Sequence, residues 1–295
     1  MDLNNFFNQC FKTIIGNEKN IKLTLSAIIS EGSILIEDYP GTGKTTFAKT
    51  ITHNLSLDFK RIQFTSDLLP ADILGYNYIK DNKQIFQKGP IFSNVVLADE
   101  LNRGSAKSQS AFLEAMEEKT VTIDGETYSL PTPFFVIATQ NPMDSSGTSM
   151  LPDSQLDRFM ISFSLSKLSD QQKKEVLKLN NQLKEQASIK LNFKEIQLKK
   201  DQITVNDTIY QYLVDIEKMI NQSGKDFQIS PRCLKQTIEL AKGWALINQQ
   251  AFVSHQDIKD IIPSVFRHRI RFLSNDSEKQ DFIEKEILQK VPVNK

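Results

Sequence analysis

Cysteine is scarce in this sequence. Its 295 residues include only Cys10 and Cys233, too few and too far apart for a disulfide framework, so a reducing compartment is expected. Charge of one sign is not in excess. Thirty-six Lys+Arg balance 36 Asp+Glu, which argues against a general nucleic-acid footprint and leaves only a local basic patch open. No apolar run approaches the ~18 residues of a membrane helix. The start, Met1-Asp2-Leu3-Asn4-Asn5, lacks the basic and apolar stretches of a secretory leader. A cytoplasmic protein without membrane insertion is the expectation. No repeat of about 20–50 residues is present, which argues against a solenoid. His53, His255 and His268 share no spacing with each other or with the cysteines, which speaks against a zinc site or a Cys/His nucleophile pair.

What remains is ordinary globular material, 39% hydrophobic and 24% charged, with length for about two domains at ~150 residues each. Up to about residue 165, short apolar runs alternate with helical stretches. Ser33-Ile34-Leu35-Ile36, Asn94-Val95-Val96-Leu97-Ala98 and Phe134-Phe135-Val136-Ile137-Ala138 read as strands of a parallel sheet buried on both faces. Residues 45–55 and 105–118 read as helices, the second with Ala111, Phe112, Ala115 and Met116 on one side. This alternation predicts an α/β sandwich that takes its ligand at the carboxyl ends of the strands.

After residue 166 the pattern changes. Residues 167–200 are rich in Lys, Gln and Asn, and then Ile209, Leu213, Ile216 and Ile220 recur at helical spacing. Leu234, Ile238, Ala241 and Ala245 do the same. Ser254 with Asp257 reads as a capping box opening a helix that Pro263 bends or ends. The domains expected are 1–166 (αβα), a connecting stretch 167–200, and a smaller all-helical domain over 201–295.

The most informative segment is Ile36-Glu37-Asp38-Tyr39-Pro40-Gly41-Thr42-Gly43-Lys44-Thr45-Thr46. A buried strand runs into a glycine-containing turn and then a helix, so that backbone amides and the helix N-terminus converge on a polyphosphate. Gly41 and Gly43 let the backbone approach the anion, Lys44 reaches the β/γ-phosphates, and the Thr45 hydroxyl ligates Mg²⁺. The usual pattern has Gly where this chain has Asp38. A chance Gly-Lys-Thr is the alternative, and the strand–turn–helix placement weighs against it.

Asp99 and Glu100 end the second buried strand. There Asp99 would help hold Mg²⁺ and Glu100 would polarise the attacking water; an acidic N-cap is the plainer alternative. Asn141, at the tip of the third strand before Pro142, is placed to hydrogen-bond the γ-phosphate or the water. Arg158 and Arg232 each stand near a helix start, where an arginine either meets phosphoryl charge or makes a surface ion pair.

Taken in order, these segments resemble the AAA+ ATPases, and among them the MoxR family, over nearly the whole chain. Ile15-Gly16-Asn17-Glu18 resembles the entry segment that packs on adenine, and 37–45 resembles a Walker A in which an acid replaces the first Gly. Phe64–Gly75 and Lys88-Gly89-Pro90-Ile91-Phe92 resemble the segments before Walker B. Asp99-Glu100-Leu101-Asn102-Arg103 resembles the Walker B extension, with Gly104 where Ala is usual. Ala138–Pro142 resembles sensor 1, residues 147–159 the arginine-finger segment, and Ser230-Pro231-Arg232 sensor 2. The resemblance implies a nucleotide site formed by Gly16, Asp38, Pro40, Gly41, Thr42, Gly43, Lys44, Thr45 and Thr46, with ATP and Mg²⁺ as cofactors. It implies an AAA+ αβα P-loop sandwich with a helical lid, assembled into a ring, commonly a hexamer. In that ring Arg158 would act in trans and Arg232 in cis. It further implies a von Willebrand factor A-domain partner and chaperone-like maturation of protein clients. A nucleic-acid-associated motor or loader is the alternative, disfavoured by zero net charge. Val121–Thr127, alternating around Asp124-Gly125, signals a hairpin that is either a bare connection or a client contact. The basic cluster Arg267-His268-Arg269-Ile270-Arg271 reads as a solvated face or a ring contact.

Overall fold

A computed structural model describes residues 3–39, 41–141, 151–179, 191–225, 227–273 and 275–292. Two expected site segments fall partly outside the described residues: Pro40, and positions 142–150 ahead of Arg158. In chain order the first elements are α1 (Leu3–Thr13), α2 (Glu18–Ile29), β1 (Ile34–Glu37), α3 (Lys44–Asn54) and β2 (Phe59–Gln63). Next come α4 (Pro70–Leu74), β3 (Gly75–Lys80), β4 (Lys83–Lys88), β5 (Val95–Asp99) and α5 (Ala106–Glu118). Then follow β6 (Thr120–Ile123), β7 (Glu126–Ser129), β8 (Phe135–Gln140), α6 (Asp153–Leu156) and β9 (Ile161–Phe163). The remaining helices are α7 (Asp170–Lys178), α8 (Phe193–Asp201), α9 (Asp207–Gln222), α10 (Pro231–Ile247), α11 (His255–Phe266) and α12 (Asp276–Asp281).

These elements gather into two compact units. The first comprises Met1–Glu18, Leu35–Pro152 and Ser164–Leu191; the second comprises Lys19–Ile34, Asp153–Phe163 and Asn192–Lys295. The division is not contiguous in sequence. Residues 19–34 and 153–163 join the helical unit because their partners lie there: Ser30 Oγ donates to the Glu239 carbonyl at 2.8 Å, and His268 Nε2 meets the Phe159 carbonyl at 3.1 Å.

In the first unit the parallel strands lie in the order β2-β5-β8-β1. All five residues of β5 and the first five of β8 are buried, as the apolar runs predict for strands covered on both sides. The register pairs Val95 with Phe135 through Ala98 with Ala138, and Phe59 with Val95 through Gln63 with Asp99. The Asp38 amide donates to the Gln140 carbonyl at 3.2 Å, so β1, β5 and β8 all end on the same edge of the sheet. That edge is where the phosphate turn and the acids emerge. On α5, Ser105 caps the helix by accepting from the Ser108 amide, and Phe112, Leu113, Ala115 and Met116 are buried.

Two hairpins accompany this sheet. The β6–β7 hairpin forms where Asp124-Gly125 predicts it, with φ of +50° and +84° at the turn. The β3–β4 hairpin was not anticipated. Its turn residues Asp81 and Asn82 also take positive φ, 51° and 57°, but without the glycine that announces such a turn.

In the second unit, Ile209, Leu213, Ile216 and Ile220 form the buried stripe of α9. On α10 half of the expected stripe holds: Ala241 and Ala245 are buried, while Leu234 and Ile238 are half-exposed and Cys233, Thr237, Leu240 and Trp244 are buried in addition. The Ser254–Asp257 capping box is present. Pro263 does not end α11, which continues to Phe266; the proline removes one amide donor from the ladder, and buried Ile261, Ile262, Val265 and Phe266 hold the last turn. Cys10 and Cys233 are free and buried, and burial pushes their thiols up to about 12 and about 11. Among the described residues no helix is long and apolar enough to cross a membrane.

Candidate functional site

The turn between β1 and α3 is opened by two glycines. Gly41 and Gly43 have φ of +83° and +95°, and a Cβ on either would meet nothing within 4 Å. Conformation, not crowding, requires glycine here. The first amides of α3 receive no side-chain cap, whereas Ser105, Ser230 and Ser254 cap theirs. An uncapped helix start behind an open turn suits an anion. Lys44 Nζ donates to the carbonyls of Asp38 (2.7 Å) and Tyr39 (3.0 Å), and Thr42 Oγ1 donates to Tyr39 O at 3.1 Å. Burial lowers the Lys44 pKa, against the opposing charges of Asp38, Asp99 and Glu100. Those three carboxylates therefore share one electrostatic neighbourhood with the lysine. Thr45 is half-buried and Thr46 exposed.

Asp38 is turned away from the open side of the turn. Its carboxylate accepts from the Tyr39 amide at 2.7 Å and the Leu165 amide at 3.1 Å. An acid in place of the usual glycine thus braces the turn against the backbone at residue 165, and its contacts with the turn run through that backbone.

The acid pair is held by residues that sequence reasoning missed. Asp99 Oδ1 accepts from the Thr139 hydroxyl at 2.6 Å, and Oδ2 accepts from Arg61 Nε (3.0 Å) and Nη2 (2.6 Å). Glu100 stands just past the strand with φ +54°, a left-handed conformation that costs a non-glycine residue about 1–2 kcal/mol. Its amide donates to Thr139 Oγ1 at 2.9 Å, and its Oε2 accepts from Gln63 Nε2 (2.8 Å) and Arg103 Nη1 (3.3 Å). Arg61 Nη2 also donates to Gln63 Oε1 at 2.5 Å. Arg61 and Gln63 are two apart on β2 and so project from the same face, which lets one strand hold both acids. The only signal in the sequence was an Arg and a Gln flanking Ile62 in a short segment, and Ile62 is the one fully buried residue of that strand.

Gln140 Nε2 donates to Glu37 Oε1 at 2.6 Å, and half-buried Asn141 follows at the end of β8. The structure thus brings residues 38–39 and 41–46, Asp99, Glu100 and Asn141 to one edge. Gly16 has φ +71°, and a Cβ there would strike the Gln172 side chain at 2.8 Å; its neighbour Asn17 accepts from the Ser166 amide at 2.9 Å, next to the Leu165 amide that Asp38 holds. Arg158 and Arg232 belong to the second unit, Arg158 half-buried just after α6 and Arg232 exposed as the second residue of α10.

The donor set fits a nucleotide with Mg²⁺. The Thr45 hydroxyl and the Asp99 carboxylate are hard oxygen donors of the kind Mg²⁺ takes one or two at a time, beside phosphate and water. Among the described residues no group of three or more His, Cys, Asp or Glu side chains forms a metal cage.

Comparison with known proteins gives the same reading. Residues 33–161 match the ATPase family associated with various cellular activities (AAA), and residues 217–290 match the AAA lid domain. The chain is 38% identical over 267 residues to YeaC of Bacillus subtilis, spanning 88% of this chain and 83% of that one. It is 34% identical over 275 residues to the chaperone MoxR1 of Mycobacterium tuberculosis, spanning 88% and 73%. A crystal structure of a candidate ATPase from Cytophaga hutchinsonii superposes with a TM-score of 0.87 at 33% identity, covering 99% of this chain and 95% of that one. The chain is therefore an ATP-hydrolysing enzyme, and it belongs to the MoxR family of AAA+ ATPases.

Proposed function

We propose that this protein hydrolyses ATP to ADP and phosphate with Mg²⁺ and uses the cycle to remodel or mature protein complexes in the cytoplasm. The observation that carries the reading is the shared edge on which the Gly41–Gly43 turn and Lys44 meet Asp99 and Glu100. Residues 1–166 form the functional nucleotide domain, 167–200 connect it, and 201–295 act as the lid.

Residues 41–46 bind the phosphates through backbone amides and the start of α3, with Asp38 bracing the turn from behind. Gly16 packs beside the base, and Pro40 shapes the turn. Lys44 exchanges its two carbonyl acceptors for phosphate oxygens. Thr45 and Asp99 would hold the Mg²⁺ ion, which would supply neutralisation of phosphate charge and polarisation of the phosphoryl group. Glu100 leaves the Gln63 amide to accept a proton from the attacking water. Asn141 orients that water or the γ-phosphate. Arg232 acts in cis, and Arg158 acts on a neighbour's nucleotide in a ring, commonly of six, where such an arginine is worth about 10³–10⁵ in rate. A von Willebrand factor A-domain protein is the partner proposed, and a protein complex the client. The name of the mycobacterial relative, a chaperone, supports that part.

Phosphate release measured on purified protein tests the reading. Glu100→Gln should keep nucleotide bound and lose hydrolysis by at least about 100-fold, while Lys44→Ala should weaken binding of a fluorescent ATP analogue. Wild-type turnover in Glu100→Gln would remove Glu100 from this role.

A further inference from the structure

Arg158 is flanked by two residues that are both clamped from the second unit. On one side, the Asp157 carboxylate accepts from Arg269 Nε at 3.0 Å through Oδ1 and from the Ser230 hydroxyl at 2.7 Å through Oδ2. On the other side, the Phe159 carbonyl accepts from Arg269 Nη2 at 3.0 Å and faces His268 Nε2 at 3.1 Å. Arg269 is itself fixed. It donates to the Val265 carbonyl in the last turn of α11 and to Gln236 Oε1 on α10 at 3.1 Å, and its side chain is only 5% exposed. A guanidinium with that many acceptors in a fixed fork cannot move without breaking several bonds at once. Ser230 has a second duty, because its Oγ also accepts from the Cys233 amide as the N-cap of α10. Arg232 is two residues further on. One carboxylate therefore joins the backbone that carries Arg158 to the helix start that carries Arg232.

We propose that Asp157 and Arg269 are a positioning pair that sets Arg158 for a neighbour's nucleotide and, through Ser230, ties that setting to the start of α10 and Arg232. The inference rests on the role given to Arg158 above. Asp157 and Arg269 touch no reacting atom in this scheme; they act by holding two arginines in one register. A shift of α10 is passed to the Arg158 backbone by two hydrogen-bonded routes, Ser230 to Asp157 and Gln236 through Arg269 to the Phe159 carbonyl, both of which meet at the Asp157–Arg269 pair.

Steady-state ATP hydrolysis by full-length variants tests this, with binding of a fluorescent ATP analogue measured beside it. Asp157→Asn, nearly isosteric, should lower kcat by about tenfold or more, a fraction of the ~10³–10⁵ that such an arginine supplies, while nucleotide affinity changes less than about threefold. In an Arg158→Ala background the same substitution should cost almost nothing further, the non-additivity expected of residues acting as a unit. Mixing Asp157→Asn with Glu100→Gln should raise hydrolysis above the sum of the two variants measured alone, since the second variant lends an intact Arg158 to the first. A merely structural defect would not be rescued by mixing. If Asp157→Asn melts below the assay temperature, Arg269→Lys, which keeps the charge but loses the fork, carries the same three measurements. Losses that multiply with Arg158→Ala, absence of rescue, or wild-type kcat in Asp157→Asn would each overturn the pairing while leaving the Arg158 role standing. Wild-type kcat in Arg158→Ala would instead overturn the Arg158 role, and the pairing with it.

Discussion

At the residue scale, Gly104 shows how packing decides an identity that the backbone leaves open. Its φ is −69°, an angle any residue adopts, yet a Cβ there would lie 2.6 Å from Phe64 Cδ1. Phe64 is itself fully buried and set edge-to-face on Phe112 at 5.3 Å, so it has little room to yield. Gly104→Ala should lower the unfolding free energy by about 1–3 kcal/mol, read from urea denaturation, and Phe64→Leu in the same chain should recover part of the loss. The phosphate turn was legible because its glycines and lysine must occupy fixed positions in a contiguous stretch. Thr139, Arg61 and Gln63 were not legible, because their importance comes from which strand lies beside which. A polar residue in a short strand carries no mark of the carboxylate it will meet across the sheet.

At the scale of elements, α2 and α10 approach closely at one point. A Cβ on Gly243 would sit 2.8 Å from the Ser26 carbonyl and 2.8 Å from Ser30 Oγ, and Ser30 Oγ bonds the Glu239 carbonyl one turn earlier. Gly243→Ala would gain up to about 1 kcal/mol of helix propensity. The backbone carbonyl cannot retreat as a flexible side chain would, so the balance should be a net loss of about 1–2 kcal/mol, and Gly243→Val should lose more. Thermal unfolding of the two variants against wild type checks the order. The helices were legible where large aliphatics mark the buried face, as on α9. On α10 the buried face mixes small Cys233, Thr237, Ala241, Gly243 and Ala245 with large Leu240, Trp244 and Ile247, so aliphatic spacing alone also drew in Leu234 and Ile238, which are half-exposed. The hairpins divide in the same way: Asp124-Gly125 declares its turn, and Asp81-Asn82 makes one without glycine.

At the scale of the whole molecule, one buried histidine should make the second unit sensitive to acid. His268 is buried in the second unit with Nε2 on the Phe159 carbonyl, and Nδ1 has no hydrogen-bond partner among the described residues. Burial first, then the charge of Arg269, with Lys279 and Arg267 adding to it, hold its pKa well below 6.5 against the favourable Phe159 bond. The unfolded chain takes up a proton at this histidine as the pH falls through about 6.5, and the folded chain does not. Stability from this residue is therefore full above that pH and declines below it, by up to about 1.4 kcal/mol per pH unit. Trp244 is the sole tryptophan and lies buried in the same unit. Its fluorescence in urea titrations at pH 7.5 and 5.5 should show the lower midpoint at 5.5, and His268→Gln should flatten the difference.

The two thiols have a practical consequence. With Cys10 and Cys233 buried and weakly acidic, the native chain presents almost no thiolate to a reagent at neutral pH. A maleimide dye or spin label on one engineered surface cysteine would then report from a single address, and the two natural sulfurs need not be stripped out first.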